Sequence, residues 1–178
     1  MVQQMISIKS CTRCKLHKFR DKMVIGRGEY PADLLFMGEA PGYAEDTLGQ
    51  AFIGPSGKLL NVMLNDALKQ SKLEHLPVSF FTNTILCRPC NKRGGEGRKP
   101  SKEEVAKCLY NVQQIIEQVN AVHVVLIGKE AEKYYGRLFV NYYSINHPSY
   151  LLRGGGIMHP WYERNVRILT NVFNCLEG

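Results

Sequence analysis

The chain has 178 residues, 44% of them hydrophobic, which suits one compact domain with a sizeable core. Its 23 basic residues outnumber 16 acidic ones for a formal charge of +7. That excess favours polyanionic partners, because each phosphate contact releases counterions; an ordinary basic soluble protein is the alternative. No stretch approaches the ~20 apolar residues of a membrane helix, and the first residues lack the apolar core of a signal peptide, so a cytosolic protein is expected rather than a membrane or secreted one.

In chain order, a Cys-x2-Cys pair comes first, Cys11 and Cys14. In a reducing compartment its six cysteines are expected to be ligands or buried thiols rather than disulfides. DLLFMGE (33–39) is a short apolar run into a glycine turn and predicts a buried strand. GKLLNVMLNDALKQ (57–70) then places Leu59, Leu60, Met63, Leu64, Ala67 and Leu68 at helical spacing. VSFFTNTIL (78–86) predicts a second strand. NKRGGEGRKP (91–100), polar and glycine-rich, predicts a mobile loop. Ser101 and Glu104 have the capping-box spacing that begins a helix. AVHVVLIG (121–128) predicts a third strand and KEAEKYYGRLF a helix after it; YYSIN (142–146) predicts a fourth strand, and WYERNVRILTNVFNCL a last amphipathic helix. Strands alternating with helices imply a three-layer α/β/α fold, a single domain over residues 1–178 with a central, mainly parallel four-stranded sheet.

Open sheets of this kind bind ligands beyond the carboxyl ends of their strands. GEAPGYAED follows the first strand, TNTILCRPC runs along and past the second, and NHPSYLLR follows the fourth. The three segments are therefore expected to line one crevice. Cys11 with Cys14 and Cys87 with Cys90 form two Cys-x2-Cys pairs, the spacing of a zinc knuckle. Four thiolates suit a [4Fe-4S] cluster equally, so spacing leaves the metal open.

The Cys-x2-Cys pair, GEAPGYAED, GQAFIGPSGKLL, TNTILCRPC, a cysteine in the following helix and HPSYLLR, in that order, resemble the iron-sulfur (family 4) uracil-DNA glycosylases over nearly the whole chain. The resemblance implies a monofunctional glycosylase that hydrolyses uracil from single- or double-stranded DNA and leaves an abasic site. It also implies a monomeric protein in the cytoplasm, associated with the nucleoid. An enzyme acting on a base must flip it from the stack, hold its face, read its edge and fill the gap left behind. By the resemblance, Phe52 stacks on the base, Asn83 reads the O4 and N3–H edge, and Glu45 lies near C5. His147 hydrogen-bonds O2 of the departing uracil, and Glu39 positions water or faces the sugar cation.

Leu151 matches the leucine that enters the duplex, with Leu152 beside it as a second candidate. Ser149 and Arg153 are expected at the DNA backbone, Gly154 to Gly156 as slack chain for insertion, and Ser56 as a helix cap that also holds a phosphate. A catalytically silent nucleic-acid-binding protein and a glycosylase for another modified base are the alternatives.

The family pattern maps a [4Fe-4S] cluster onto Cys11, Cys14, Cys87 and Cys108, with zinc as the alternative and a structural role for the metal. Cys90 stands where a proline is usual, which leaves Cys87 against Cys90 open. Tyr43 and Ala44 replace residues that are more often acidic. Cys175, in the last helix, is expected to be a buried free thiol.

Overall fold

Along the strand β2 (Leu34–Gly38) every residue is buried, and the side chains alternate between two cores. Leu35 and Met37 join Phe80, Val112, Ile115 and Leu126 on one face. Leu34 and Phe36 join Leu60, Met63, Phe81 and Phe173 on the other. A strand buried on both faces must be apolar throughout, as DLLFMGE is, and must be covered by helices on both sides.

The computed structural model describes residue 8 and residues 10 to 177. Its remaining strands are β1 (Arg27–Gly28), β3 (Ser79–Asn83), β4 (His123–Ile127) and β5 (Tyr143–Ile145). The sheet order is β1-β3-β2-β4-β5, with β1 antiparallel at one edge and all other pairings parallel. The four expected strands are thus present, and β1 makes a fifth. Two residues are too few to leave a periodic signal, so β1 could not be read from sequence.

The helices are α1 (Tyr43–Leu48), α2 (Pro55–Gln70), α3 (Lys102–Val119), α4 (Lys129–Tyr135), α5 (Pro148–Arg153) and α6 (Tyr162–Asn174). Leu60 and Met63 of α2 and Leu169 and Phe173 of α6 fill one core, whereas Val112 and Ile115 of α3 and Ala131 and Tyr135 of α4 fill the other. None of the described helices is long and apolar enough to cross a membrane.

The start of α3 is the expected capping box: Ser101 accepts from the Glu104 N–H, and the Glu104 carboxylate accepts from the Ser101 N–H. Arg98 adds a two-pronged pair to Glu104 at 2.8 and 2.6 Å. The preceding loop is tied further by an Arg88 bond to the Gly95 carbonyl (2.6 Å) and a Cys90–Gly97 bridge. The loop expected over residues 91–100 is present, and it is held by arginine contacts six or seven residues along the chain and by Arg93 on Asp21 at 2.8 Å.

The chain steps from β2 out to β3, then returns across β2 to β4. Segments leaving the carboxyl ends of these strands diverge, and the crevice between them is where ligands bind in such sheets.

Candidate active site

Gly38 ends β2 and pairs in register with Asn83, the last residue of β3. A Cβ at Gly38 would stand 2.5 Å from the Phe52 ring and 2.7 Å from the Asn83 amide oxygen. Its absence lets an aromatic ring and an amide meet at the sheet's end. Phe52 has a φ of 54°, in the left-handed region that non-glycine residues occupy only when the surroundings enforce it. Glu45 supplies that enforcement. Its buried carboxylate accepts from the backbone N–H groups of Ile53 (3.0 Å) and Gly54 (2.7 Å), bracing the loop that presents the ring.

Asn83 is only 3% exposed, yet its side-chain amide has no hydrogen-bond partner among the described residues. The amide faces a pocket, where its donor and acceptor are free for a ligand. Phe52, Asn83 and His147 line one pocket of about 450 Å³, together with Glu45, Ser56 and Ser149. That volume is in the usual range for small-molecule sites.

His147 caps α5, with Nδ1 accepting from the Ser149 N–H at 3.1 Å and lying 2.8 Å from the Ser149 hydroxyl. A ring nitrogen that accepts from a backbone N–H carries no proton, so the neutral ring bears its hydrogen on Nε2. Burial, helped by Arg153, lowers the His147 pKa from 6.5 to about 4, which keeps the ring neutral near pH 7. Ser149, expected at the DNA backbone, instead orients this histidine and lines the pocket.

The other expected residues are distributed differently. Glu39 is not among the pocket's lining residues; its half-buried carboxyl is pushed above the usual range, first by burial and then by Glu130. Ser56 lines the pocket but is not the cap of α2, because the helix begins one residue earlier, at Pro55, with Gly54 in the cap position. Leu151 is completely buried and packs in the core with Leu59, Val166 and Phe173. A side chain so enclosed cannot enter DNA, so Leu151 is corrected to a core residue.

Neighbouring Leu152 is 40% exposed, and Ile157 and Met158 project from the turn after α5. All three are exposed apolar side chains on or just after α5, and the sequence reading singles out only Leu152. The turn is not slack. Its N–H groups bond back to Leu151, Gly155 and Gly156, and a Cβ on Gly154 would strike the His159 ring at 2.4 Å. Tyr43, noted only as a departure in composition, stands exposed at the pocket rim with the Arg88 guanidinium 5.4 Å from its ring centroid.

Away from the pocket, Cys87 lies in the core beneath α3, with Cys11, Cys14 and Cys108 packed against the same cluster. Cys87 and Cys108 both feel the charges of Cys11 and Cys14. Burial is the largest influence on each, lifting Cys87 to about 11 and Cys108 to about 12. Arg20 donates to the Cys87 sulfur at 3.1 Å. Cys90 is not in that cluster; just before the 91–100 loop, its thiol bonds to the Arg88 carbonyl. Among the described residues no three Cys, His, Asp or Glu side chains converge closely enough to hold a single metal ion. Cys175 is exposed, which corrects its expected burial: it lies just beyond the last turn of α6, where the helix leaves the core.

The family model of the uracil DNA glycosylase superfamily matches residues 25–168, which include Glu39, Glu45, Phe52, Asn83 and His147. The chain belongs to the uracil DNA glycosylase superfamily. It is 35% identical over 127 residues to a type-4 uracil-DNA glycosylase of Saccharolobus solfataricus, covering 71% of this chain and 55% of that protein. With the type-4 uracil-DNA glycosylase of Sulfurisphaera tokodaii it shares 34% over 158 residues, 88% of this chain and 66% of the relative. With that of Pyrobaculum aerophilum it shares 42% over 109 residues, 61% and 50%. The aligned part thus spans between half and about two thirds of these relatives' lengths. The α/β/α architecture agrees with this superfamily membership, and the resemblance read from the motifs is borne out by it.

Proposed function

We propose that this chain hydrolyses the N-glycosidic bond of uracil in DNA and leaves an abasic site. The observation that carries the reading is the amide of Asn83, without a protein partner among the described residues, lining one pocket with the Phe52 ring and His147. An amide presents a donor and an acceptor side by side, which match O4 and N3–H of uracil; cytosine presents the reverse pair. Phe52 takes the face of the flipped base, and its braced loop means that little ordering remains to be done on binding.

When the bond between the sugar C1′ and the base N1 breaks, its electron pair leaves with the base and spreads to O2. The Nε2–H of neutral His147 donates to that oxygen, and a preorganised donor of this kind is worth about 3 to 4 kcal/mol in the transition state. Water adds to the sugar carbon and gives up a proton. Glu39 is assigned to hold that water, since its raised pKa makes it a better base than an exposed carboxylate. Leu152, with Ile157 and Met158, is assigned to the gap left in a duplex, and Arg153 to a phosphate.

Cys11, Cys14, Cys87 and Cys108 are proposed to hold a [4Fe-4S] cluster that ties the N-terminal segment to α3 and the chain after β3. Tetrahedral zinc would draw four thiolates to about 2.3 Å from one ion. A [4Fe-4S] cluster spreads its four thiolates over four irons, and the location of Cys87 in one core cluster with Cys11, Cys14 and Cys108 packed against it supports these four as its ligands. The metal's contribution is structural, as hydrolysis needs no redox step.

The test of function is incubation with a uracil-containing oligonucleotide, then alkaline cleavage. Strand scission at uracil, lost in Asn83→Ala, is expected. Binding without an abasic product would leave a DNA-binding protein, and product only from another base would reassign the substrate.

A further inference from the structure

His147 is a wall between two recesses. One is the pocket already described. The other, about 630 Å³, is lined by Lys99, Lys129, Arg153 and Arg164 with the aromatic rings of Tyr150 and Trp161. Lys129, Arg153 and Arg164 have no acidic partner among the described residues; Lys99 is paired with Glu130 at 3.1 Å, and Glu39 lies near that edge. The acids of this neighbourhood therefore neutralise one side and leave three cations on the other.

The aromatic wall is exposed, Trp161 by 43% and Tyr150 by 47%, and it is firmly built. Tyr150 packs edge-on against the buried His159 ring at 4.9 Å, and His159 Nδ1 accepts from the Trp161 N–H at 3.1 Å. The Arg164 guanidinium lies 5.0 Å from the Trp161 ring centroid. Rings that stay exposed although fixed in place, among unpaired cations, have the composition of a surface that stacks unpaired bases and tracks their backbone.

We infer that this second recess is a single-strand path: the nucleotides flanking the flipped one run past His147, with a base against Trp161 and phosphates on Lys129, Arg153 and Arg164. A paired base keeps its faces inside the helix and cannot reach such a ring, so the path favours single-stranded DNA. The inference rests on the DNA reading proposed above and adds where the strand goes.

Trp161 is the sole tryptophan of the sequence, so intrinsic fluorescence reports on this recess in the unmodified protein. Titration with uracil-free oligothymidylate should quench it saturably, whereas a duplex of equal length should quench little. By anisotropy of labelled oligothymidylate, Trp161→Ala should weaken binding about tenfold and Trp161→Phe far less, since phenylalanine still stacks. Lys129→Ala should lower the slope of log affinity against log salt by about 0.7, one phosphate on a single strand.

Unchanged fluorescence while anisotropy shows the strand bound would overturn the inference, as would equal quenching by duplex, or equal affinity of the Ala and wild-type proteins. Because the probe contains no uracil, the result is independent of turnover. Excision with no quenching removes the path and keeps the glycosylase; quenching with no excision does the reverse.

Discussion

The pocket at the sheet's end and the cysteine corner beneath α3 are both assembled from distant parts of the chain, but they are held by different means. The pocket is self-supporting: Glu45 fixes the Phe52 loop, Ser149 fixes His147, and Gly38 makes room for both Phe52 and Asn83. The corner consists of thiols, of which burial pushes those of Cys87 and Cys108 above the ordinary range, with Arg20 donating to Cys87. Thiolates there need a cation to offset their desolvation. A site built from backbone hydrogen bonds can wait empty in its working shape, while one built from buried thiols would need the proposed metal to complete it.

The sharpest way to break this comparison is to remove the pocket's donors. His147→Ala and Asn83→Ala should each lower the excision rate by about 10²–10³-fold with unchanged circular dichroism and melting. A large loss of fold in either would mean that the pocket depends on these side chains for its shape. Glu39→Gln, outside the lining, should cost less than either.

The corner should behave in the opposite way. Cys108→Ala should purify without bound iron and sulfide and melt markedly lower, whereas Cys90→Ala should keep full metal content on elemental analysis. Equal metal loss in both would bring Cys90 into the ligand set and redraw the corner.

Two adjacent leucines sharpen the boundary between structure and contact. Leu151→Ala should destabilise by about 2–5 kcal/mol in denaturant melts, as core truncations do. Leu152→Ala should leave stability within about 0.5 kcal/mol and reduce excision from duplex more than from single strands. The reverse pattern would restore Leu151 as the inserted residue.

A smaller effect comes from pH. With a folded pKa of about 4 against an ordinary 6.5, His147 takes up its proton more readily in the unfolded chain. Its contribution to stability is complete above about pH 6.5 and lost as pH falls towards 4. Excision at saturating substrate should likewise hold through mildly acidic pH on this account. A rate that halves near pH 6.5 and is restored by no other change would contradict the neutral, pocket-facing imidazole. Smallest of all, Ser101→Ala should cost about 1 kcal/mol by uncapping the helix that carries Cys108.

Much of this was legible in the chain because local chemistry repeats along it. The alternating strands, the helical spacing of α2, the Ser101–Glu104 box and the motif residues at strand ends follow from side-chain period and capping, which act within a few residues. What could not be read was decided by contacts between remote residues. Sequence spacing treats Leu151 and Leu152 as neighbours of one kind, but the packing of α5 sends one into the core and leaves the other in solvent. The glycines of 154–156 read as slack, but His159 packs over Gly154, and the turn's N–H groups bond back to Leu151, Gly155 and Gly156. Composition marked 91–100 as loose, but Arg93 in it pairs with Asp21, 72 residues away, at 2.8 Å. The choice of Cys87 over Cys90 as neighbour to Cys11, Cys14 and Cys108 likewise turned on which way the chain leaves β3. Sequence by itself determined which chemical groups this protein possesses and the local elements that carry them; only the tertiary structure decided which of those groups face a ligand, because burial and orientation depend on partners far away along the chain.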